Sequence, residues 1–264
     1  MTNHVSAADP SKEWIQLLTQ NSFLFYDFDE AWLEQYLTGD RLNHEKLYSN
    51  RPIYTAFRPN ESLGHLYVVL SGGPVIVRST PLDRIIALTY PGGCFGMRNL
   101  DVSYGNVCRA FPSLVEAYKT TDVITIPTPV IQSLYEESEV FRTRYGVLFE
   151  LREKFQYHLL NCGTYPPQAV ASLLRAVIYQ ERSLCHDENR EEFVFDLPVD
   201  IISRACQLNH RTVEQVLKGM AQIKMIETAK SSDAGGDLIR VLNPEGLKEV
   251  YGTTRDKVPW WPLK

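Results

Sequence analysis

The stretch Leu197-Pro198-Val199-Asp200-Ile201-Ile202-Ser203-Arg204-Ala205-Cys206-Gln207-Leu208-Asn209-His210-Arg211-Thr212-Val213-Glu214-Gln215-Val216-Leu217 reads as two short helices joined by a tight turn. Ile201, Ile202 and Ala205 share one face of the first helix, and Val213, Val216, Leu217 and Met220 share one face of the second. Asn209 suits the N-cap of the second helix, because its side-chain oxygen accepts from backbone N–H groups of the first turn. His210, Arg211, Glu214, Gln215 and Lys218 then lie on the opposite, solvent-facing side. Long hydrogen-bonding side chains on the second of two such helices form the helix-turn-helix pattern that reads a DNA major groove. The same pattern fits an αα-hairpin packed in a core, so the flanking segments must decide.

Downstream, Met225-Ile226-Glu227-Thr228 and Leu238-Ile239-Arg240-Val241-Leu242 read as strands joined by the turn Ser231-Ser232-Asp233-Ala234-Gly235-Gly236. A helix-turn-helix closed by such a hairpin is a winged helix, and a plain αα-hairpin does not need one. Upstream, Phe193-Val194-Phe195-Asp196 reads as a strand, and Val170, Leu173, Leu174, Val177 and Ile178 mark an amphipathic helix. Gly163-Thr164-Tyr165-Pro166-Pro167 breaks the preceding helix and forms a hinge.

The N-terminal half has another texture. Short helices are expected around Trp14, Ile15, Leu17 and Leu18 and again from Asp29-Glu30 through Leu37. Short β-rich runs then follow at Tyr54, Phe57, Leu66–Leu70, Val75–Val77, Arg84–Leu88 and Val123–Ile126. Turn chemistry separates them at Arg58–Glu61, Ser71-Gly72-Gly73, Pro91-Gly92-Gly93 and Tyr104-Gly105-Asn106. Strands this short and this regularly spaced predict a sandwich or a barrel-like roll. A short helix over Thr128–Tyr135 and a long one over Glu139–Leu160 come next. In the long helix Phe141, Tyr145, Leu148, Arg152, Phe155 and Leu159 keep the three- and four-residue spacing of a dimer seam. The alternative is that this row packs on the chain's own roll and turns Arg152 to solvent.

With 264 residues, 44% of them hydrophobic, the chain can bury one large core or two smaller ones. No long uncharged apolar run and no secretory signal is present, so a cytoplasmic protein with no membrane span is expected. A net charge of -5 argues against bulk electrostatic binding of nucleic acid, and any DNA contact must rest on a local patch. The five cysteines, Cys94, Cys108, Cys162, Cys185 and Cys206, are scattered without a C-x-x-C pair, which signals neither a disulfide framework nor a zinc site.

Roll, long helix, hinge and winged helix, in that order, resemble the cyclic-AMP receptor protein / fumarate-nitrate reductase regulator (CRP/FNR) family of bacterial transcription factors. The likeness spans roughly residues 14–250 and rests on His65-Leu66-Tyr67-Val68-Val69-Leu70-Ser71-Gly72, on Pro91-Gly92-Gly93-Cys94-Phe95-Gly96, and on the winged helix-turn-helix. It implies an α+β chain: an N-terminal cyclic-nucleotide-binding-like β-roll (a double-stranded β-helix) with its leading helices over 1–135, a dimerisation helix and hinge over 136–165, a winged helix-turn-helix over 166–252, and a tail over 253–264. It further implies a homodimer on a near-palindromic double-stranded DNA operator and a contact with RNA polymerase that no residue here locates. By the same resemblance Arg211 and Gln215 read base edges; Arg211 can pair bidentately with guanine and Gln215 with adenine. His210, Thr212 and Lys218 fall to the phosphates, and Glu214 can accept from cytosine N4.

The sensor end departs from the family. Its cassette is Phe-Gly-Glu with a leucine three residues on, followed later by Arg-Ser or Arg-Thr; here the first part reads Phe95-Gly96-Met97-Arg98-Asn99-Leu100. Met97 cannot accept the ribose hydrogen bond, and the Arg-Ser position falls near Phe111-Pro112, so cyclic-AMP binding is not expected. Amides around Gly96 with Arg98 or Arg109, and Arg152 or Gln156 from the long helix, suit a small anion such as the 2-oxoglutarate bound by some family members. A pocket with no ligand, or with another one, stays equally open. An iron–sulfur cluster lacks its N-terminal cysteines, and His44 and His65 lack partners for haem, so no cofactor or metal is expected. Cys94 beside the cassette reads as a packed thiol before an oxidation sensor. A cupin enzyme, also a β-roll, would need a His-x-His pair that the six histidines never form, and no catalytic motif appears elsewhere. The remaining rival is a non-enzymatic sensor whose winged helix binds a protein. Gln207 in the turn, where the family usually has glycine, keeps that rival open.

Overall fold

The computed structural model describes residues 10–49, 51–55, 64–79, 84–97, 113–160, 165–184, 192–230 and 237–252. Helices α1 (Pro10–Asn21) and α2 (Glu30–Glu34) and a 3₁₀ turn (Gly39–Arg41) lead into eight strands. These are β1 (Asn43–Leu47), β2 (Pro52–Thr55), β3 (His65–Ser71), β4 (Val75–Ser79), β5 (Arg84–Thr89), β6 (Cys94–Phe95), β7 (Ser113–Ala117) and β8 (Thr121–Pro127). Helices α3 (Thr128–Glu137), α4 (Glu139–Leu160) and α5 (Pro166–Leu184) follow. Then come β9 (Phe193–Asp196), α6 (Val199–Cys206), α7 (His210–Gln222), β10 (Ile226–Lys230), β11 (Asp237–Val241) and α8 (Pro244–Gly252). The chain divides into two compact units, Met1–Val75 with Thr89–Pro112 and Glu116–Phe149, and Ile76–Leu88 with Ser113–Val115 and Glu150–Lys264.

The strands fall into two four-stranded sheets, ordered β1-β8-β3-β6 and β2-β7-β4-β5; β4 and β5 follow one another in the second sheet, and β6, β7 and β8 then alternate between the two, as in a roll. In the first sheet β8 is central and pairs antiparallel with both neighbours, setting Val68 opposite Ile124 and Asn43 opposite Thr125. Leu66, Val68, Val69, Val123, Ile124 and Ile126 are buried, as near-continuous apolar runs require. The chain leaves β3 through Gly72, whose φ is +83° and where a Cβ would stand 2.3 Å from the Thr120 carbonyl oxygen, so only glycine fits. The buried Thr121 hydroxyl holds this corner, accepting from the Gly73 N–H and donating to the Lys119 carbonyl, each at 2.8 Å.

Three elements carry no strong sequence signal or one that is easily passed over. Strand β1, Asn43-His44-Glu45-Lys46-Leu47, is polar and exposed except at Leu47, and it exists by pairing with β8 along its whole length. Strand β7 is five residues of mixed character. Helix α8 does announce itself: Asn243 accepts the Gly246 N–H at 2.8 Å, Pro244 stands at the first helical position and Glu245 in the first turn.

The long helix α4 corrects one expectation. Phe141, Tyr145, Leu148 and Phe155, read as a dimer seam, are 0%, 4%, 7% and 2% exposed within the single chain. The Phe141 ring packs edge-on against Phe25 at 5.6 Å and Phe28 at 6.4 Å, and Tyr145 meets Tyr135 at 5.7 Å. Surface already buried at home offers a partner nothing, so this row is core. Arg152 is half-buried, and the side chain of Leu159 lies outside the described residues. One turn on from Phe141, Arg144 places its guanidinium 5.3 Å from the Phe28 ring and donates to the Tyr26 carbonyl. Burial lowers its pKa, with Asp27 opposing the shift. Replacing Phe141 with alanine is expected to cost about 3–5 kcal/mol of stability. Because the row is intramolecular, urea denaturation should give that loss unchanged at low and high protein concentration.

Candidate nucleic-acid interface

The helix pair is fixed by its turn. Helix α6 ends on Gln207, which sits in the left-handed region at φ 54°, ψ 41°. Its N–H and that of Leu208 (3.0 Å) both donate to the Ser203 carbonyl, and the Ser203 hydroxyl donates to the Leu208 carbonyl at 2.6 Å. This is the 6→1 closure of a Schellman-type helix end, with glutamine where glycine is usual. Asn209 is the N-cap of α7 as expected: its Oδ1 accepts the Thr212 N–H at 2.8 Å.

Ile201, Ile202, Val213, Val216 and Met220 have no exposed surface, and Ala205 has almost none, so the two apolar faces form one core. Helix α5 backs them with Ala169, Val170, Leu173 and Leu174, and the Cys206 thiol donates to the Ala169 carbonyl at 3.4 Å. The wing follows as an antiparallel sheet, β10-β11-β9, with Ile226 opposite Val241 and Val241 opposite Phe193. Its turn, Ser231–Gly236, lies outside the described residues.

On the outer side, His210, Arg211, Glu214 and Lys218 are exposed, while Thr212 and Gln215 are half-buried. Arg211, Glu214, Gln215 and Lys218 fall at i, i+3, i+4 and i+7, which places them on one strip of α7. His210 has a second commitment that its expected phosphate role left out. Its Nε2 stands 3.4 Å from Asp200 Oδ1, and Arg204 Nη1 stands 3.5 Å from Asp200 Oδ2. The i,i+4 spacing of Asp200 and Arg204 was a visible signal for half of this cluster. The half that crosses the turn had none.

At the sensor end the structure brings together Phe95, Gly96 and Met97. The Phe95 ring stacks on Tyr67 at 4.6 Å and 10°, Gly96 has φ 81°, and Met97 is 9% exposed. Arg98 and Arg109, and the side chain of Gln156, lie outside the described residues. Burial pushes the neighbouring Cys94 thiol up to about 12, with Ser22 opposing weakly, so the thiolate is scarce at neutral pH. His44 is held by Asp122 at 3.4 Å and stacks near Trp14, an ordinary polar setting. Among the described residues no three of His, Cys, Asp and Glu stand together as metal ligands, and no described helix is long and apolar enough to cross a membrane.

No protein-family model matches the sequence, and no curated protein matches it. Solved structures do. FixK2 from Bradyrhizobium japonicum aligns at 16% identity over 81% of this chain and 98% of that one, with a TM-score of 0.58. A double mutant of CooA from Carboxydothermus hydrogenoformans aligns at 15% identity over 86% and 97%, with a TM-score of 0.54. The chain therefore has the α+β fold of the CRP/FNR regulators, a β-roll followed by a helix-turn-helix.

The turn makes a prediction of its own. A left-handed glutamine costs about 1–2 kcal/mol that glycine would not, set against about 0.5–1 kcal/mol for the greater freedom of glycine when unfolded. Gln207→Gly is therefore expected to stabilise the chain by about 0.5–1 kcal/mol, seen as a higher denaturation midpoint at unchanged slope.

Proposed function

We propose that the chain is a sequence-specific DNA-binding transcriptional regulator of the CRP/FNR type. The observation that carries this reading is the strip Arg211–Glu214–Gln215–Lys218 on a capped helix whose other face is wholly buried. A strip so placed has no structural work to do inside the unit, and its side chains match the donors and acceptors of base edges. Arg211 and Gln215 read bases, Glu214 accepts from cytosine N4, and Lys218 and Thr212 meet phosphates. His210 joins them once released from Asp200. The protein is a cytoplasmic, non-enzymatic regulator whose winged helix meets DNA and whose remaining surface offers RNA polymerase a contact.

Two recognition helices reading successive major grooves require a homodimer. With the Phe141 row buried, the dimer face is the open side of α4, where Val140 is 53% exposed and Thr143, Gly146 and Glu150 are also exposed. A Cβ on Gly146 would meet nothing within 4 Å in its own chain. A mid-helix glycine costs roughly 1 kcal/mol relative to alanine, and a closely approaching partner backbone explains why it is there. For the sensor, a buried methionine in the glutamate position supports a regulator that does not answer to cyclic AMP. Its effector is a small anion such as 2-oxoglutarate or there is none; either way a ligand acts only by binding two dimer geometries unequally.

One observation favours a second reading, a winged helix that binds a protein: two carboxylates, Asp200 and Glu214, stand among the cations of the reading head. DNA selection from a random pool separates the two, since a protein-binding head enriches no sequence. On the enriched site, Arg211→Ala is expected to weaken binding by about 1–3 kcal/mol and to relax one base position. Undiminished affinity in a gel-shift titration would remove the assignment. For the dimer, Gly146→Leu should leave each chain as stable or more so, yet light scattering should report a monomer where the unaltered protein is a dimer.

A further inference from the structure

Resting on the DNA-reading proposal, we propose that Asp200 is an internal stand-in for a DNA phosphate that restrains non-specific binding. Asp200 lies in the first turn of α6, and His210 is the first residue of α7. Its two oxygens are divided between an imidazole and a guanidinium: Oδ1 faces His210 Nε2 at 3.4 Å and Oδ2 faces Arg204 Nη1 at 3.5 Å. In a helix-turn-helix the first helix crosses the phosphate backbone and the start of the second meets the groove. The carboxylate therefore sits where a phosphate would arrive, holding the two side chains a phosphate would use. All three groups are solvated, with side-chain exposures of 27% for Arg204, 42% for Asp200 and 60% for His210. Pairs this exposed, at these separations, are weak and readily exchanged.

The consequence is a discount on every DNA sequence alike. Phosphate contacts supply most non-specific affinity and all of its counterion release. A carboxylate that must be displaced removes one or two such contacts from the non-specific balance, and its ion pairs are with His210 and Arg204, not with the base readers Arg211 and Gln215. In a chain of net charge -5 this leaves sequence reading as the larger share of binding.

The test is fluorescence anisotropy of the full chain on a labelled mixed-sequence duplex across a range of KCl concentrations. Asp200→Asn should bind several-fold more tightly, and its plot of log affinity against log salt should steepen by about 1, for the charged phosphate contact that Arg204 regains. In the Arg204→Gln/His210→Gln background the same substitution should change neither quantity. Unchanged or weaker binding by Asp200→Asn overturns the inference. So does an equal gain in the double-variant background, which would mean that Asp200 acts only as a diffuse charge. Thermal melting accompanies each variant; if Asp200→Asn does not fold, Asp200→Ser, which keeps a polar group in the first turn, takes its place. If the unaltered protein binds no duplex at low salt, the DNA-reading proposal itself falls. If it binds and Asp200→Asn behaves identically, only the role of Asp200 falls.

Discussion

The Ser203 carbonyl accepts two backbone N–H groups at once, from Gln207 and Leu208, while the Ser203 hydroxyl returns a bond to the Leu208 carbonyl. Everything the C-terminal unit presents outward depends on that closure. It sets the angle at which α7 leaves α6, and with it the direction of the exposed strip. Each bond contributes about 1 kcal/mol net, so together they outweigh the roughly 1–2 kcal/mol cost of a left-handed glutamine. Magnitude decides the matter: the sequence departs from the usual glycine without losing the turn, because the bonds gathered at Ser203 close it. Asn209 completes it by capping α7 one residue later, leaving little freedom between the two helices.

Electrostatics in this chain has to be local. A net charge of -5 repels a polyanion at long range, and a Debye length near 8 Å at physiological salt confines what attraction there is to the contact itself. Around the helix pair, Arg204 and His210 face Asp200, and Arg211 and Lys218 share the outer strip of α7 with Glu214. That mixture suits discrimination better than raw affinity. On the proposed DNA-reading role, a head of bare cations would hold any duplex, and the acidic members would subtract from the part of the binding that carries no sequence information.

Much of the fold was legible because burial and period coincide in it. The apolar rows of α5, α6 and α7 and the short strands β3, β4, β5 and β8 each announce their element, and the Ser71-Gly72-Gly73 corner is where turn chemistry put it. What escaped did so for identifiable reasons. Strand β1 has no apolar alternation, since a polar edge strand is specified by its neighbour's hydrogen bonds and not by its own side chains. The row Phe141–Tyr145–Leu148–Phe155 was read with the right period and assigned to the wrong partner. A helix stripe states that something covers it, and only the aromatic side chains of Phe25, Phe28 and Tyr135 in three dimensions say what. The contact of Asp200 with His210 escaped for a related reason: it depends on the angle of a turn, and no spacing rule reaches across one.

The burial of that row bears on how the proposed dimer would hold together. Once Phe141, Tyr145, Leu148 and Phe155 are spent on the core, the open side of α4 offers Val140, Thr143, Gly146 and Glu150, a narrow strip with one large apolar member. Close backbone packing at Gly146 can recover dispersion energy there, but the apolar area is small, and at about 25 cal/mol per Å² it supports only a modest association. On the proposed reading, two half-sites on one duplex would change that balance. Once one reading head is bound, the second arrives at a high effective concentration, and the pair can hold where neither head would alone. Dimerisation and operator recognition would then be coupled steps. Non-specific grip by single heads would compete directly with that coupling, and in that setting the role proposed for Asp200 would matter most.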